Sequence, residues 1–361
     1  METRHIQSAV FILGCLIMTN LFIKYFSKLS RSVGLVDHPN HRKIHQRSIP
    51  LVGGLSILSA ITLASFLSPL LRESLQTFVI PFTAALLVFI VSVLDDRFDI
   101  SVKLRLTAQI TAAIAVSASG VRIESMFGMF GIYEISLSFQ HVITVVVLVG
   151  STNAFNLIDG VDGLAGTLGF VTSTLLGLIA LSLGLDGISI FCFGVSAALL
   201  AFLKHNLFPA KIFMGDAGSM TLGFLFTFVS IILLQGTDGM ANSQFIFTFI
   251  TCVLMVPVID AIRVFIKRYS KGNSILKADR THLHHLFLNA GQNHNKVVTK
   301  IVILQFSLLV AGVILASITS VTVTILILIL SQILISKVLV MNKILAEWQK
   351  QLNKNEKLVQ L

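Results

Sequence analysis

Residues 77–99 read TFVIPFTAALLVFIVSVLDDRFD. From Thr77 to Leu94 no side chain carries a charge. Wound as a helix at ~1.5 Å per residue, this run covers roughly 27 Å, close to the ~30 Å of bilayer hydrocarbon. It then stops on two adjacent carboxylates, Asp95 and Asp96. A helix C-terminus is the negative end of the macrodipole, and neighbouring acids also repel each other. An apolar rod that ends on such acids calls for lipid along its length and a cation at its tip.

The same pattern repeats along the chain. Apolar runs lie near 6–26, 51–71, 77–94, 105–120, 141–158, 164–183, 188–203, 220–234, 245–265, 299–317 and 321–341, about eleven spans by the length rule. Of 361 residues, 55% are hydrophobic and 12% are Asp, Glu, Lys or Arg, a balance that excludes a water-soluble globular domain with its large polar surface. The expected fold is an all-α polytopic membrane protein: one transmembrane domain over 1–341 and a basic tail over 342–361. The first run lacks a small-residue cleavage site and reads as an anchor. Cys15, Cys192 and Cys252 fall inside spans at no metal-ligand spacing, so neither a disulfide nor a thiolate zinc site is expected.

The formal charge of +10 would suggest nucleic acid in a soluble protein, but here it sets topology and no nucleic acid partner is expected. With the N-terminus outside, every Lys and Arg except Arg4, Arg72 and Arg122 falls on one side, which the positive-inside rule makes the cytoplasm. An odd number of spans puts the C-terminal tail there too. Outside connections are plain, apart from alternation in Ile132-Tyr133-Glu134-Ile135 near Gly128 and Gly131, which predicts a small periplasmic hairpin within 121–140. Nearly all unusual polar residues gather inside, and no span carries a charge near its centre. An ion-coupled transporter, the rival of a different class, ordinarily places ionisable groups at the midplane. Acids at span ends suit a reaction at the membrane surface.

Five inside segments hold the candidate chemistry. Asp95 and Asp96 lie beside Arg97 and Lys103; the plainer reading is a solvated exit turn neutralised by those two cations. The fifth run ends in NAFNLIDGVDG, residues 153–163. At ~100° per residue, Asn153, Asn156 and Asp159 share one stripe and Asp162 lies opposite Asn153, unless an unwound stretch at Gly160, Gly163 and Gly166 re-aims it and brings backbone amides toward a phosphate. Asp216 in FMGDAGS, residues 213–219, reads alone as a helix N-cap. Together these oxygens suit Mg²⁺, or Mn²⁺ in its place. Arg268 and Arg280, with His282, His284 and His285, form an anion-binding loop. No HExxH helix accompanies the histidines, so a dedicated zinc site is not expected. Lys43 and His45, in the turn-rich loop from Asp37 to Gly54, form a second basic segment suited to a lipid phosphate or to topogenic charge alone.

In this order, these motifs resemble the bacterial polyprenyl-phosphate N-acetylhexosamine-1-phosphate transferases, glycosyltransferase family 4. The likeness rests on the loop from Asp37 through Pro39, Arg42, Lys43 and His45 to Gly53-Gly54, the Asp95-Asp96 pair, Asn153 to Gly166, Gly215-Asp216 and His282-Leu283-His284-His285. It implies Mg²⁺-dependent transfer of GlcNAc-1-phosphate from UDP-GlcNAc to undecaprenyl phosphate at the cytoplasmic face of the bacterial inner membrane, with release of UMP. The product would begin a surface polysaccharide such as O-antigen, common antigen or teichoic acid linkage units. In this resemblance Asp95 and Asp96 are the essential acidic pair. Asp216, Asn156 and Asp159 serve the metal, while Asn153, Asp162, Lys103, Arg268, Arg280 and the histidines serve the substrate. Another UDP-N-acetylhexosamine fits equally. The phospho-MurNAc-pentapeptide branch fits less well, because it carries three consecutive histidines where Leu283 interrupts this run. Sugar identity, direct displacement against an aspartyl intermediate, and homo-oligomer formation stay open.

Overall fold

A computed structural model describes residues 2–37, 48–272 and 281–359 of the chain. Lys43, His45 and Arg280 lie outside these residues. The rest is almost wholly helical, as a lipid solvent requires, since an α-helix satisfies its backbone polar groups within the segment. In chain order the helices are α1 (Glu2–Val33), α2 (Gly53–Leu67), α3 (Arg72–Thr77), α4 (Val79–Phe98), α5 (Val102–Ala118), α6 (Leu137–Leu157), α7 (Leu164–Ser182), α8 (Asp186–Asn206), α9 (Gly215–Gln235), α10 (Ser243–Tyr269), α11 (Leu283–Asn289), α12 (His294–Ala316) and α13 (Val321–Val359). Among the described residues nine of them are long and apolar enough to cross a membrane. The second and fourth apolar runs form shorter helices, α2 with 15 residues and α5 with 17. The chain is an all-α polytopic membrane protein. Its last helix continues from the final span into the basic tail without a break.

Helix α9 is the axis of the bundle. Its apolar window is 94% buried, against 22% for α1 and 28% for α13. Helices α2, α4 and α6 surround it. Phe226 and Phe228 of α9 meet Phe155 and Phe82 edge to face, with ring centroids 5.4 Å apart in each pair, a geometry that suits the aromatic quadrupole. The outer helices show the reverse pattern. Ile6, Val10, Leu13, Ile17 and Leu21 are each more than half exposed, and at steps of three and four they form one apolar stripe along α1. Such a stripe is stable only against hydrocarbon.

The N-terminus of α2 crosses the N-terminus of α9 at Gly54 and Gly218. A Cβ at Gly54 would stand 2.1 Å from the Gly218 nitrogen, so this crossing needs glycine. The amides of Gly53 and Gly54 donate to Phe213 O (2.9 Å) and Met214 O (2.8 Å). Two short strands, β1 (Val36–Asp37) and β2 (Ile49–Pro50), pair antiparallel, and Leu51 bridges to Phe213. These contacts clamp the chain before α9 to the first loop. At the other end of the bundle, a Ser125–Glu134 bridge closes the expected hairpin, with Met126 N donating to Tyr133 O at 2.9 Å. Helix α10 contains Pro257, which has no amide hydrogen to give. Around it, Gln305 of α12 and Gln332 of α13 donate to the carbonyls of Cys252 (2.7 Å) and Val256 (2.9 Å).

Candidate active site

The ends of α4, α6 and α8 and the start of α9 meet around a cavity of about 990 Å³. Among the described residues seven carboxylates line it: Asp37, Asp95, Asp96, Asp99, Asp159, Asp162 and Asp216. Asn156, Asn206, Arg105, His285 and His294 join them.

The two acids that end α4 are not left uncompensated, contrary to the reading from their helix alone. Asp96 accepts from the amides of Asp216 (2.8 Å) and Ala217 (2.9 Å), so its charge sits at the positive N-terminus of α9. Gly215 has φ +73, and a Cβ there would meet Asp96 Oδ2 at 2.6 Å. Asp95 is 7% exposed and pairs with Arg105 Nη1 at 2.5 Å. The same nitrogen reaches Asp216 Oδ2 at 2.9 Å. Asp216 is therefore no cap of its own helix; Asp96 takes that place and leaves Asp216 facing Arg105.

Arg105 does what the sequence reading gave to Arg97 and Lys103. Two residues are ~200° on a helix, so Lys103 and Arg105 point to opposite sides of α5. Lys103 is exposed and outside the cavity lining, and Arg97 stacks on the Phe98 ring with 5.2 Å to its centroid.

Helix α6 ends at Leu157, and the turn that follows swings both Asp159 and Asp162 to the cavity. Of the three glycines expected to unwind, Gly163 alone takes a left-handed conformation (φ +79), while Gly166 lies inside α7 packed on Phe202 and Leu203. The amides of this turn are already engaged: Gly163 N donates to Asn206 Oδ1 at 2.9 Å and Asp162 N to His294 Nδ1 at 3.3 Å. The turn thus presents carboxylates to the cavity, rather than those two amides. Asp162 Oδ2 accepts from Ala210 N at 3.0 Å. Asn156 accepts from Ser219 Oγ at 2.7 Å. Asn153 lies a turn deeper and outside the lining, with its Nδ2 on Gln109 Oε1 at 2.7 Å.

Burial holds the Asp159 carboxyl well above the usual carboxylate range, and the charges of Asp216, Asp96 and Asp162 add to the rise. The carboxylate and amide oxygens of this wall fit a hard divalent cation, which would lower the carboxyl again. No three His, Cys, Asp or Glu side chains among the described residues stand as a ready metal set. Asn156, water and substrate phosphates would complete one.

The three histidines separate. His285 lines the cavity. His284 is 1% exposed and leans on Gly160, and neither ring nitrogen has a partner. Burial, with His285 and His282 nearby, lowers its pKa to about 3. His282 faces away, its Nδ1 3.0 Å from Asp260. Arg268, half-buried in the last turn of α10, does not line the cavity. Arg105, Asn206, Asp260 and His294 escaped the sequence reading. His294 stands beside Phe208, ring centroids 4.8 Å apart, with its Nδ1 3.5 Å from Asp162 Oδ1.

The fold and site are those of a helical membrane bundle with an acid-lined cavity where several helix ends meet. Residues 78–234 match the pattern of glycosyl transferase family 4. The chain is 34% identical, over 81% of its length and 80% of the relative's, to an undecaprenyl-phosphate alpha-N-acetylglucosaminyl 1-phosphate transferase of Yersinia pestis. It is 35% identical to the protein of the same name in Escherichia coli (strain K12), over 78% of this chain and 76% of the other. A probable undecaprenyl-phosphate N-acetylglucosaminyl 1-phosphate transferase of Bacillus subtilis (strain 168) is 28% identical over 88% of each chain. The chain belongs to glycosyl transferase family 4 and is a transferase, which removes the transporter reading.

Proposed function

We propose that this enzyme transfers GlcNAc-1-phosphate from UDP-GlcNAc to undecaprenyl phosphate at the cytoplasmic face of the bacterial inner membrane, releasing UMP. The observation that carries this reading is the wall of carboxylates, with Arg105 among them, at the ends of spanning helices. It supports a meeting of a water-soluble polyanion with a lipid headgroup. The names of the relatives supply the lipid acceptor and the transferred group, and the resemblance of the motifs supplies the UDP donor.

In the reaction an oxygen of the lipid phosphate bonds to the phosphorus that carries the sugar. The bond from that phosphorus to the bridging oxygen breaks, and UMP leaves with the electron pair. A phosphate monoester has a second pKa of about 6, so the nucleophile is largely ionised at pH 7 and needs little base catalysis. Repulsion between the two anions is the barrier, and positioned opposite charge lowers it. Arg105 fixes Asp95 and Asp216, and Asp96 is fixed by the α9 amides. His285 and His294 offer imidazoles to the donor. Asp216, Asn156 and Asp159 would hold Mg²⁺, which supplies charge neutralisation and orientation of phosphate oxygens when bound.

The test is purified protein in detergent with undecaprenyl phosphate and a panel of UDP-sugars, with Mg²⁺ or with a chelator. UDP-GlcNAc with Mg²⁺ should give UMP and lipid-diphosphate-GlcNAc in equal amounts, and the chelator should abolish both. Turnover of UDP-GalNAc alone would move the assignment to another hexosamine, and undiminished product in chelator would remove the metal.

A further inference from the structure

Asp260 does not line the cavity, yet it is 3% exposed and both its oxygens are engaged. Oδ1 accepts from Arg263 Nη2 at 2.7 Å, Oδ2 faces His282 Nδ1 at 3.0 Å, and the Leu283 amide reaches both oxygens at 3.1 Å. Arg263 Nη2 also donates to Thr281 O at 2.6 Å. One carboxylate of α10 therefore gathers the entry to α11. His282 occupies the N-cap position of α11 but makes no side-chain cap, so Asp260 fills that role from another helix.

What α11 carries explains why this matters. His284 is buried against Gly160, and His285, the next residue, turns ~100° to the cavity, with the two rings 4.2 Å apart. A helix of seven residues has little stability of its own. Its rotation decides whether an imidazole faces the cavity.

We infer that Asp260 is a positioning residue for the transfer reaction: through His282 and the Leu283 amide it locks α11 so that His285 faces the donor. The inference rests on the proposed reaction for its kinetic consequence, but the lock itself does not depend on it.

Two measurements separate these. Hydrogen exchange on Asp260→Ala in detergent should be faster over residues 283–289 and unchanged over α5, without any substrate. That result supports the lock even if no UDP-sugar is turned over, an outcome that would sink only the proposed reaction. In the kinetic arm, Asp260→Ala should raise the donor KM about tenfold, equivalent to ~1.4 kcal/mol, with kcat changed far less. Asp260→Asn, which keeps shape and one acceptor oxygen, should fall between it and wild type. A purely structural role would add its loss to any other, whereas a residue acting through His285 should not. The double variant Asp260→Ala/His285→Ala should thus have the KM of His285→Ala alone. If Asp260→Ala does not survive purification, His282→Gln carries the same tests with the same signs and smaller size. Unaltered exchange at 283–289, or KM losses that multiply in the double variant, overturns the inference.

Discussion

Arg105 binds two carboxylates through one nitrogen, and Asp95 has almost no water to replace it. Removing one partner of a buried pair leaves an uncompensated charge, which destabilises by on the order of 3 kcal/mol. Arg105→Ala should lower the melting temperature and abolish transfer, while Asp95→Asn/Arg105→Ala should recover stability but not activity; a stable Arg105→Ala would contradict the pairing. His284 gives a prediction of different sign. Its folded pKa of about 3 lies below the ordinary 6.5, so the folded state resists a proton that the unfolded state accepts. Stability from neutral His284 is full above about pH 6.5 and is lost as pH falls toward 3, by up to ~1.4 kcal/mol per pH unit. His284→Gln should flatten that acid limb in a melting series from pH 7.5 to 4.5, and an unchanged slope would remove His284 as its source. At this scale the sequence revealed residue types more than partners. Asp95, Asp96 and Asp159 declare themselves by following apolar runs, and Asp216 by preceding one. Lys103 and Arg105 cannot be told apart without the phase of α5, and Asp260 looks like ordinary charge at the end of a span.

At the level of elements, the bundle depends on helix ends that complete one another. Asp96 caps α9 across the fold by accepting from the Asp216 and Ala217 amides, and loss of a cap costs about 1 kcal/mol. Asp96→Asn should therefore destabilise the protein as well as slow it, whereas relief of repulsion at the end of α4 alone would raise the melting temperature. The crossing of α2 on α9 makes a second test. Gly54→Ala inserts a methyl 2.1 Å from the Gly218 nitrogen and should cost about 1–3 kcal/mol, while Gly14→Ala, with nothing within 4 Å, should be tolerated. Equal melting temperatures for the two would show that α2 and α9 do not approach so closely. Helix existence was readable from run length because lipid imposes ~20 apolar residues per crossing. The interlocking of their ends was not, since Gly54 and Gly218 are 164 residues apart in sequence and no local pattern joins them.

At the scale of the molecule, each of the eleven apolar runs falls on a helix, but among the described residues nine of these are long and apolar enough to cross a membrane, α2 and α5 being shorter. The charge bias argues that the cavity opens to the cytoplasm. Ser101→Cys and Ser270→Cys should label with a reagent that reaches the cytoplasm, and Ser138→Cys from outside intact cells; the native cysteines are buried and should stay silent. Labelling of Ser101→Cys from outside would reverse the topology. The central claim, however, is that the acid-lined cavity performs phosphoryl transfer. Its most direct test is UMP release, with matching lipid product, by wild type and by Asp95→Asn, Asp96→Asn and Asp216→Asn in undecaprenyl phosphate, UDP-GlcNAc and Mg²⁺. Each variant should remain folded and lose about 10²-fold or more in turnover. Near-normal turnover in all three, with Mg²⁺ still required, would mean that the chemistry takes place elsewhere.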